Sequence, residues 1–322
     1  MVITAGSSVS SARDKGDDME LRGVWPALAT PLSRDEEVDR AGLARVTEYC
    51  LEGGVYGVVV LGSTGEFPAM TESMRVTAIA TVVEAVDRRV PVVAGCGESG
   101  TKRTVYQVKA LDGSGVQAAL VALPFYYPLD QPAVRRFYEA VADVSPLPVV
   151  LYNFPQMTKI SIAPDTLGSL ADHPNVIGVK DSSGDFVGLQ NYLAATVGKD
   201  FSVMCGNPAL GLAAYVHGAD GGIFAGASLA PALCVHVYAA FVDGDLTTAA
   251  ELQRKATTIT RMGQFGSNSA VIKVGLQRLG ICEAYTTSPL GLADVPDVHK
   301  KIAAWMEGLG LEGVKSPDSD LC

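Results

Sequence analysis

The chain has 322 residues, 48% of them hydrophobic, with 35 acidic against 25 basic side chains and a formal net charge of −10. That length suits one large domain or two of average size with a substantial core. The acidic balance argues against nucleic acid or an anionic membrane as partner, while a small anionic substrate stays compatible because a local site can be positive in an acidic protein.

Taken in chain order, residues 1–20 (MVITAGSSVSSARDKGDDME) are polar, carry no segment resembling a signal peptide, and read as a disordered extension in which Met19 is an alternative initiator. The pattern then predicts strands at Val24–Ala29, Gly57–Leu61, Val90–Gly95, Ala118–Leu123, Pro148–Tyr152, Val176–Lys180, Ser202–Cys205 and Gly221–Phe224. These are short apolar runs without alternation, as suits strands covered on both faces. Between them lie helical patterns at Arg40–Glu52, Glu72–Asp87, Lys102–Leu111, Ala133–Val144, Phe186–Val197 and Pro208–His217, often closed by glycine, as at Gly53-Gly54 and Gly218. Beyond Ala230 the pattern is helical only, through Ala232–Val242, Thr247–Arg261, Ala270–Leu279 and Val298–Met306. Residues 311–322 read as a loose tail.

Eight strand–helix units in about 200 residues predict an α/β fold, a (β/α)₈ TIM barrel over 21–230 with a C-terminal helical bundle over 231–310. A doubly wound sheet is the other architecture with this rhythm, but no GxGxxG follows the first strand. No apolar run approaches the roughly 20 residues that span a bilayer. The six cysteines are scattered without a CxxC pair, which points to free thiols in a reducing cytoplasm rather than disulfides or zinc.

In a barrel of this kind the active site lies at the C-terminal ends of the strands, and three of those ends carry chemistry. The segment from Asn175, NVIGVKDSSGD, ends an apolar run on Lys180 and breaks into a polar turn. Desolvation at the mouth of a buried strand favours an uncharged amine, which is what imine chemistry on a carbonyl requires. Alone, such a lysine could equally end a strand at the surface. The second strand runs into Gly62-Ser63-Thr64-Gly65-Glu66, whose glycines and successive amides suit a carboxylate. The fifth runs into Tyr152-Asn153-Phe154-Pro155, where the Tyr152 phenol is either a general acid/base, relayed through Ser63 and a tyrosine of Phe125-Tyr126-Tyr127, or a core aromatic with a satisfied hydroxyl.

These motifs, GSTGE after strand two, YNxP after strand five and GxKDSxGD around the lysine, resemble the dihydrodipicolinate synthase/N-acetylneuraminate lyase family of pyruvate-dependent class I aldolases, from about Leu21 to Gly308. The resemblance implies that Lys180 forms a Schiff base with pyruvate or another 2-oxo acid and that Tyr152 is the catalytic phenol. Ser63 and Thr64, beside Gly62, would bind the carboxylate, and Tyr126 would enter a neighbouring subunit's site. Ile223 would face the keto acid through its backbone, Gly206 would occupy the substrate loop, and Ser182 would contact substrate. It further implies no separate cofactor beyond the lysine imine, small 2-oxo acid and aldehyde partners, and a cytoplasmic homotetramer built as a dimer of dimers.

The chain also departs from the family pattern. Synthases that make dihydrodipicolinate carry an arginine two residues after the YNxP proline; here Met157 stands there, with Lys159 two positions on. Sialic acid lyases place acidic residues after strand seven, where this chain has Asn207-Pro208-Ala209. Within the family the motifs are most similar to 4-hydroxy-2-oxoglutarate and 2-keto-3-deoxy sugar acid aldolases, with a 2-keto-3-deoxy acid dehydratase or dihydrodipicolinate synthase as alternatives using the same lysine. Two readings from other classes are a metal-dependent aldolase and a non-catalytic barrel that binds 2-oxo acids. The first needs His, Asp or Glu ligands at strand ends, whereas His173, His217, His236 and His299 fall in helices or loops. The second predicts a broken motif, and none of the three is broken.

Overall fold

The structure is a computed structural model and describes residues 19–311; the N-terminal extension to residue 18 and the tail from 312 lie outside the described residues. Eight parallel strands follow one another around a ring: β1 (Gly23–Pro26), β2 (Val58–Val60), β3 (Val92–Cys96), β4 (Ala118–Ala122), β5 (Val149–Asn153), β6 (Val176–Asp181), β7 (Ser202–Cys205) and β8 (Gly221–Phe224). β1 pairs with β8, and the remaining gap between β1 and β2 is spanned by a parallel bridge between Ala27 and Val59 and by the Leu28 amide donating to the Val59 carbonyl at 2.9 Å. The fold is a (β/α)₈ barrel with helices after it. Nearly every strand residue is buried, which explains the unalternating valine-rich runs: one face fills the barrel and the other meets the helices.

The helices are α1 (Arg40–Glu52), α2 (Glu72–Val86), α3 (Thr101–Lys109), α4 (Gln131–Ala142), α5 (Pro155–Thr158), α6 (Pro164–Leu170), α7 (Phe186–Ala195), α8 (Gly211–Val216), α9 (Pro231–Val242), α10 (Leu246–Thr257), α11 (Asn268–Arg278) and α12 (Val298–Gly308). Short polar residues start many of them: the side chains of Asp39, Thr71, Asp130, Asp185, Asp245 and Ser267 each accept a backbone N–H of the first turn. α9 packs against β1 and α1 and so takes the place of the eighth barrel helix, although it lies beyond residue 230. α11 and α12 pack on each other, and Ile302, Trp305 and Met306 of α12 join the same continuous core as the barrel. Among the described residues no helix is long and apolar enough to cross a membrane, and Cys50, Cys96, Cys205, Cys234 and Cys282 are buried free thiols.

Most predicted boundaries shift by one to three residues, as where β1 ends at Pro26 rather than Ala29, and the expected helix Thr247–Arg261 passes into a 3₁₀ stretch after Thr257; three further differences stand out. The second strand stops at Val60 because Leu61 turns into the left-handed region, φ 57°. The expected helix Pro208–His217 is a single 3₁₀ turn, Pro208–Leu210, running into α8. Between β5 and β6 the chain forms two short helices, α5 and α6, that the pattern did not predict; each is opened by a proline at its first turn and is too short to show a 3.6-residue period.

Candidate active site

Strand register sets the centre of the site. Tyr152 on β5 lies directly beside Lys180 on β6. Side chains alternate along a strand, so this pair shares one face while the next pair, Asn153 and Asp181, shares the other. Lys180 is only 3% exposed and Tyr152 4%. The Lys180 Nζ donates to the Tyr152 Oη at 3.4 Å and lies 4.4 Å from the centre of its ring. The same phenol oxygen is 3.4 Å from the Ser63 Oγ. These contacts lie at the long end of the hydrogen-bond range. They nonetheless form a continuous amine–phenol–hydroxyl chain. Phe154 stacks on the Tyr152 ring with centres 5.7 Å apart. From the helix side the buried Tyr138 Oη donates to the Val121 carbonyl at 3.1 Å and accepts the Tyr152 amide at 3.4 Å, tying β4 to β5 behind the phenol.

The Ser63 turn is held in an unusual shape. Leu61 enters it at positive φ, a genuine outlier for a bulky residue, and its carbonyl lies where a Cβ on Gly95 would sit, 1.9 Å away, so only glycine fits on β3 there. The turn is closed by the Gly65 amide donating to the Gly62 carbonyl at 3.0 Å and the Glu66 amide to the Ser63 carbonyl at 3.2 Å. Thr64 is buried within it. Glu66, also left-handed, sends its carboxylate into the protein: Oε1 pairs with the Lys273 Nζ of α11 at 2.6 Å, and Oε2 accepts the Thr287 amide and hydroxyl at 2.7 and 2.8 Å. Both side chains are fully buried, and burial pushes the Lys273 amine down against the opposing pull of Glu66.

On the far face, the Asp181 carboxylate accepts the Asn153 Nδ2 at 2.7 Å, the Ser183 amide at 3.1 Å and the Ser183 hydroxyl at 2.9 Å. Burial pushes this carboxyl up, and those donors pull it back. The network fixes the turn that carries Ser182, whose amide donates to the Asn153 carbonyl at 2.8 Å. Gly206, after β7, donates to the Asp181 carbonyl at 2.7 Å, and a Cβ on it would lie 2.1 Å from the Ser182 Oγ, so Gly206 and Ser182 are locked together. In the next loop the Gln156 Nε2 donates to the Ser183 carbonyl at 2.5 Å, Met157 is 64% exposed, and the Lys159 Nζ turns back to the Gln156 carbonyl at 2.8 Å.

The structure therefore brings Lys180, Tyr152 and Ser63 into one cluster, with Gly62 and Thr64 in the same turn and Ser182 beside Gly206 across the β6–β7 edge. Ile223 is buried on β8 beside Trp25, on the same ring of strand ends. Tyr126 stands apart: it is 86% exposed at φ 107°, its ring edge-on to Tyr127 at 5.0 Å. A groove of about 480 Å³ between α7, α8 and the start of β7, lined by Gln190, Leu193, Val197, His217 and Asp220, lies at the other end of the barrel and carries none of these residues. Among the described residues no three His, Cys, Asp or Glu side chains gather as a metal site. Sequence reasoning did not pick out Asn153, Asp181, Tyr138 or the Glu66–Lys273 pair. A signal existed for the last: Lys273 interrupts the apolar run Ala270–Leu276 of α11.

Chemically, a buried amine beside a phenol and a hydroxyl suits attack on a carbonyl with proton transfer to and from the same centre.

Comparison with known proteins agrees with this fold. The model described as the Dihydrodipicolinate synthetase family matches residues 20–304. The chain is 33% identical over 274 residues to a 4-hydroxy-tetrahydrodipicolinate synthase of Methanoculleus marisnigri, covering 84% of this chain and 94% of the relative. It is 34% identical over 291 residues to one of Ruegeria pomeroyi, covering 90% and 99%. Among solved structures it is similar to YagE, a prophage protein of E. coli K12 described as belonging to the dihydrodipicolinic acid synthase family and solved in complex with pyruvate. That match has a TM-score of 0.86 and 29% identity, over 90% of this chain and 99% of that one. The dihydrodipicolinate synthase of Thermotoga maritima matches with the same TM-score, identity and coverage.

Proposed function

The chain belongs to the dihydrodipicolinate synthetase family and is a lyase of the pyruvate-dependent aldolase type, and from that premise we propose that it cleaves or forms a carbon–carbon bond through an imine on Lys180. The observation that carries this reading is the buried amine within 3.4 Å of a phenol that itself lies 3.4 Å from a hydroxyl. The Lys180 Nζ adds to the C2 carbonyl of a 2-oxo acid, and loss of water gives the imine. In the cleavage direction the Tyr152 oxygen takes the proton of the C4 hydroxyl, the C3–C4 electrons move into the imine to give an enamine, and the aldehyde leaves. The enamine is then protonated at C3, and hydrolysis frees pyruvate. Ser63 relays the proton from Tyr152, and the Gly62–Gly65 turn, with Thr64, holds the substrate carboxylate. Ser182 and Gly206 bound the acceptor side, and the Ile223 backbone faces the keto acid. No separate cofactor or metal enters these steps. Tyr126 completes the relay of a neighbouring subunit in a cytoplasmic tetramer.

The acceptor is of the 4-hydroxy-2-oxoglutarate or 2-keto-3-deoxy sugar acid type. The groups on that side are amides and hydroxyls, Gln156, Ser182, Ser183 and Asn207, and Lys159 is turned back onto its own loop rather than presented as a cation. Met157 replaces the carboxylate-gripping arginine. A charge-assisted bidentate contact contributes roughly 1.5–3 kcal/mol, a factor of about 10 to 150 in specificity. A second reading, 4-hydroxy-tetrahydrodipicolinate synthase, draws on the names of the relatives. Side-by-side kcat/KM values decide between them: cleavage of a 2-keto-3-deoxy sugar acid whose leaving aldehyde carries no carboxylate is expected to exceed condensation of pyruvate with aspartate semialdehyde by at least about tenfold, and 4-hydroxy-2-oxoglutarate, whose glyoxylate half does carry one, then ranks the acceptors within the first reading. The reverse order would assign the synthase activity, and loss of water without cleavage would assign a dehydratase.

A further inference from the structure

The Glu66–Lys273 pair belongs to neither the barrel lining nor the proton relay, yet it is the most deeply buried charge pair described here. Both side chains have no exposed surface: Glu66 Oε2 accepts the amide and hydroxyl of Thr287, and Oε1, which has no other partner, faces the Lys273 ammonium at 2.6 Å. Lys273 makes a second bond, to the Tyr285 carbonyl at 2.7 Å. Glu66 closes the Gly62–Glu66 turn, and Lys273, Tyr285 and Thr287 lie more than two hundred residues later in α11 and the segment after it.

We infer that Lys273 is a positioning residue for the reaction, which through Glu66 clamps the Ser63-Thr64 turn to the C-terminal helices and so sets the binding of the substrate carboxylate. Four observations converge on this role. The turn is strained at both ends, with Leu61 and Glu66 in the left-handed region, so something must hold it in shape. Its own hydrogen bonds, at 3.0 and 3.2 Å, close only its middle. Its Ser63 oxygen is already 3.4 Å from the Tyr152 phenol, so a small shift breaks the relay. Finally, a buried ion pair contributes little net stability compared with apolar side chains of the same volume, while it does fix geometry. α11 is thereby part of the support of the active site.

The inference rests on the imine mechanism proposed above, and its test separates the two. Wild type, Lys273→Met, Glu66→Gln and the double variant Glu66→Gln/Lys273→Met are compared by thermal melting and by the pyruvate concentration dependence of borohydride trapping, with kcat alongside. Lys273→Met alone leaves a buried charge unpaired and is expected to lower the melting temperature, or to fail to fold. The double variant removes both charges and is expected to melt near wild type. Its half-saturating pyruvate concentration is nevertheless expected to rise by roughly tenfold or more, in excess of any change in kcat, because the turn has lost its anchor. A double variant that melts and binds pyruvate like wild type would overturn the positioning role, as would Glu66→Gln with unchanged half-saturation. Failure of the wild type itself to trap pyruvate would instead overturn the imine mechanism.

Discussion

Lys180 and Tyr152 face each other because neighbouring strands place them at the same height, and the chemistry follows from that register. The ring of Tyr152 is held by Phe154 and its backbone by Tyr138, so removing the hydroxyl alone should leave the pocket intact. Tyr152→Phe is therefore expected to keep pyruvate binding while turnover falls about 10²–10⁴-fold, the usual contribution of a general acid/base. Turnover within a few-fold of wild type, with trapping unchanged, would make the tyrosine structural. At this scale the sequence was informative wherever a polar residue ended an apolar strand: Lys180, Tyr152 and Ser63 all announce themselves in that way. It was silent on Asp181 and Asn153, although both stand in the quoted motifs, because a side chain on the helix-facing side of a strand end reads as an ordinary loop residue until pairing is known. Lys273 was hidden for a different reason, since its partner is more than two hundred residues distant.

Among the elements, the barrel strands were legible from their unbroken β-branched runs, and their ends were accurate to within a few residues. The exceptions have local causes. Leu61 leaves β2 early because Gly95 makes room for its carbonyl, and α5 and α6 are too short for a helical period to emerge between Pro155 and Pro164. The end of β6 also has a measurable pH signature. Burial raises the Asp181 carboxyl above its ordinary 3.8, so the folded state holds this proton more tightly than the unfolded chain. Its contribution to stability is thus fully present below that value and is lost as pH rises through the raised value. Asp181→Asn removes that dependence while keeping an acceptor for Ser183. The melting temperature of the variant minus that of wild type is expected to increase as pH rises from about 4 toward neutrality. A difference that stays flat or falls across that range would show that the hydrogen bonds from Asn153 and Ser183 outweigh the burial.

At the scale of the whole molecule, Tyr126 is the residue that the proposed function carries beyond one chain. A tyrosine 86% exposed at φ 107° does nothing for the core of its own barrel, and strain of this kind persists at functional positions. On the proposed reading it reaches the relay of a second subunit. Mixing the Tyr126→Phe and Lys180→Ala variants under conditions of subunit exchange is expected to restore part of the activity that each lacks alone, because hybrid dimers contain one site with both groups. A chain that sediments as a fully active monomer would contradict this.

The proposed chemistry requires one covalent bond, between Lys180 and the 2-oxo acid. Incubation with pyruvate and borohydride, followed by intact mass and peptide mapping, is expected to give one reduced adduct per chain, on Lys180, and none in Lys180→Ala. An adduct mapped to another lysine, or trapping that survives in Lys180→Ala, would contradict the mechanism.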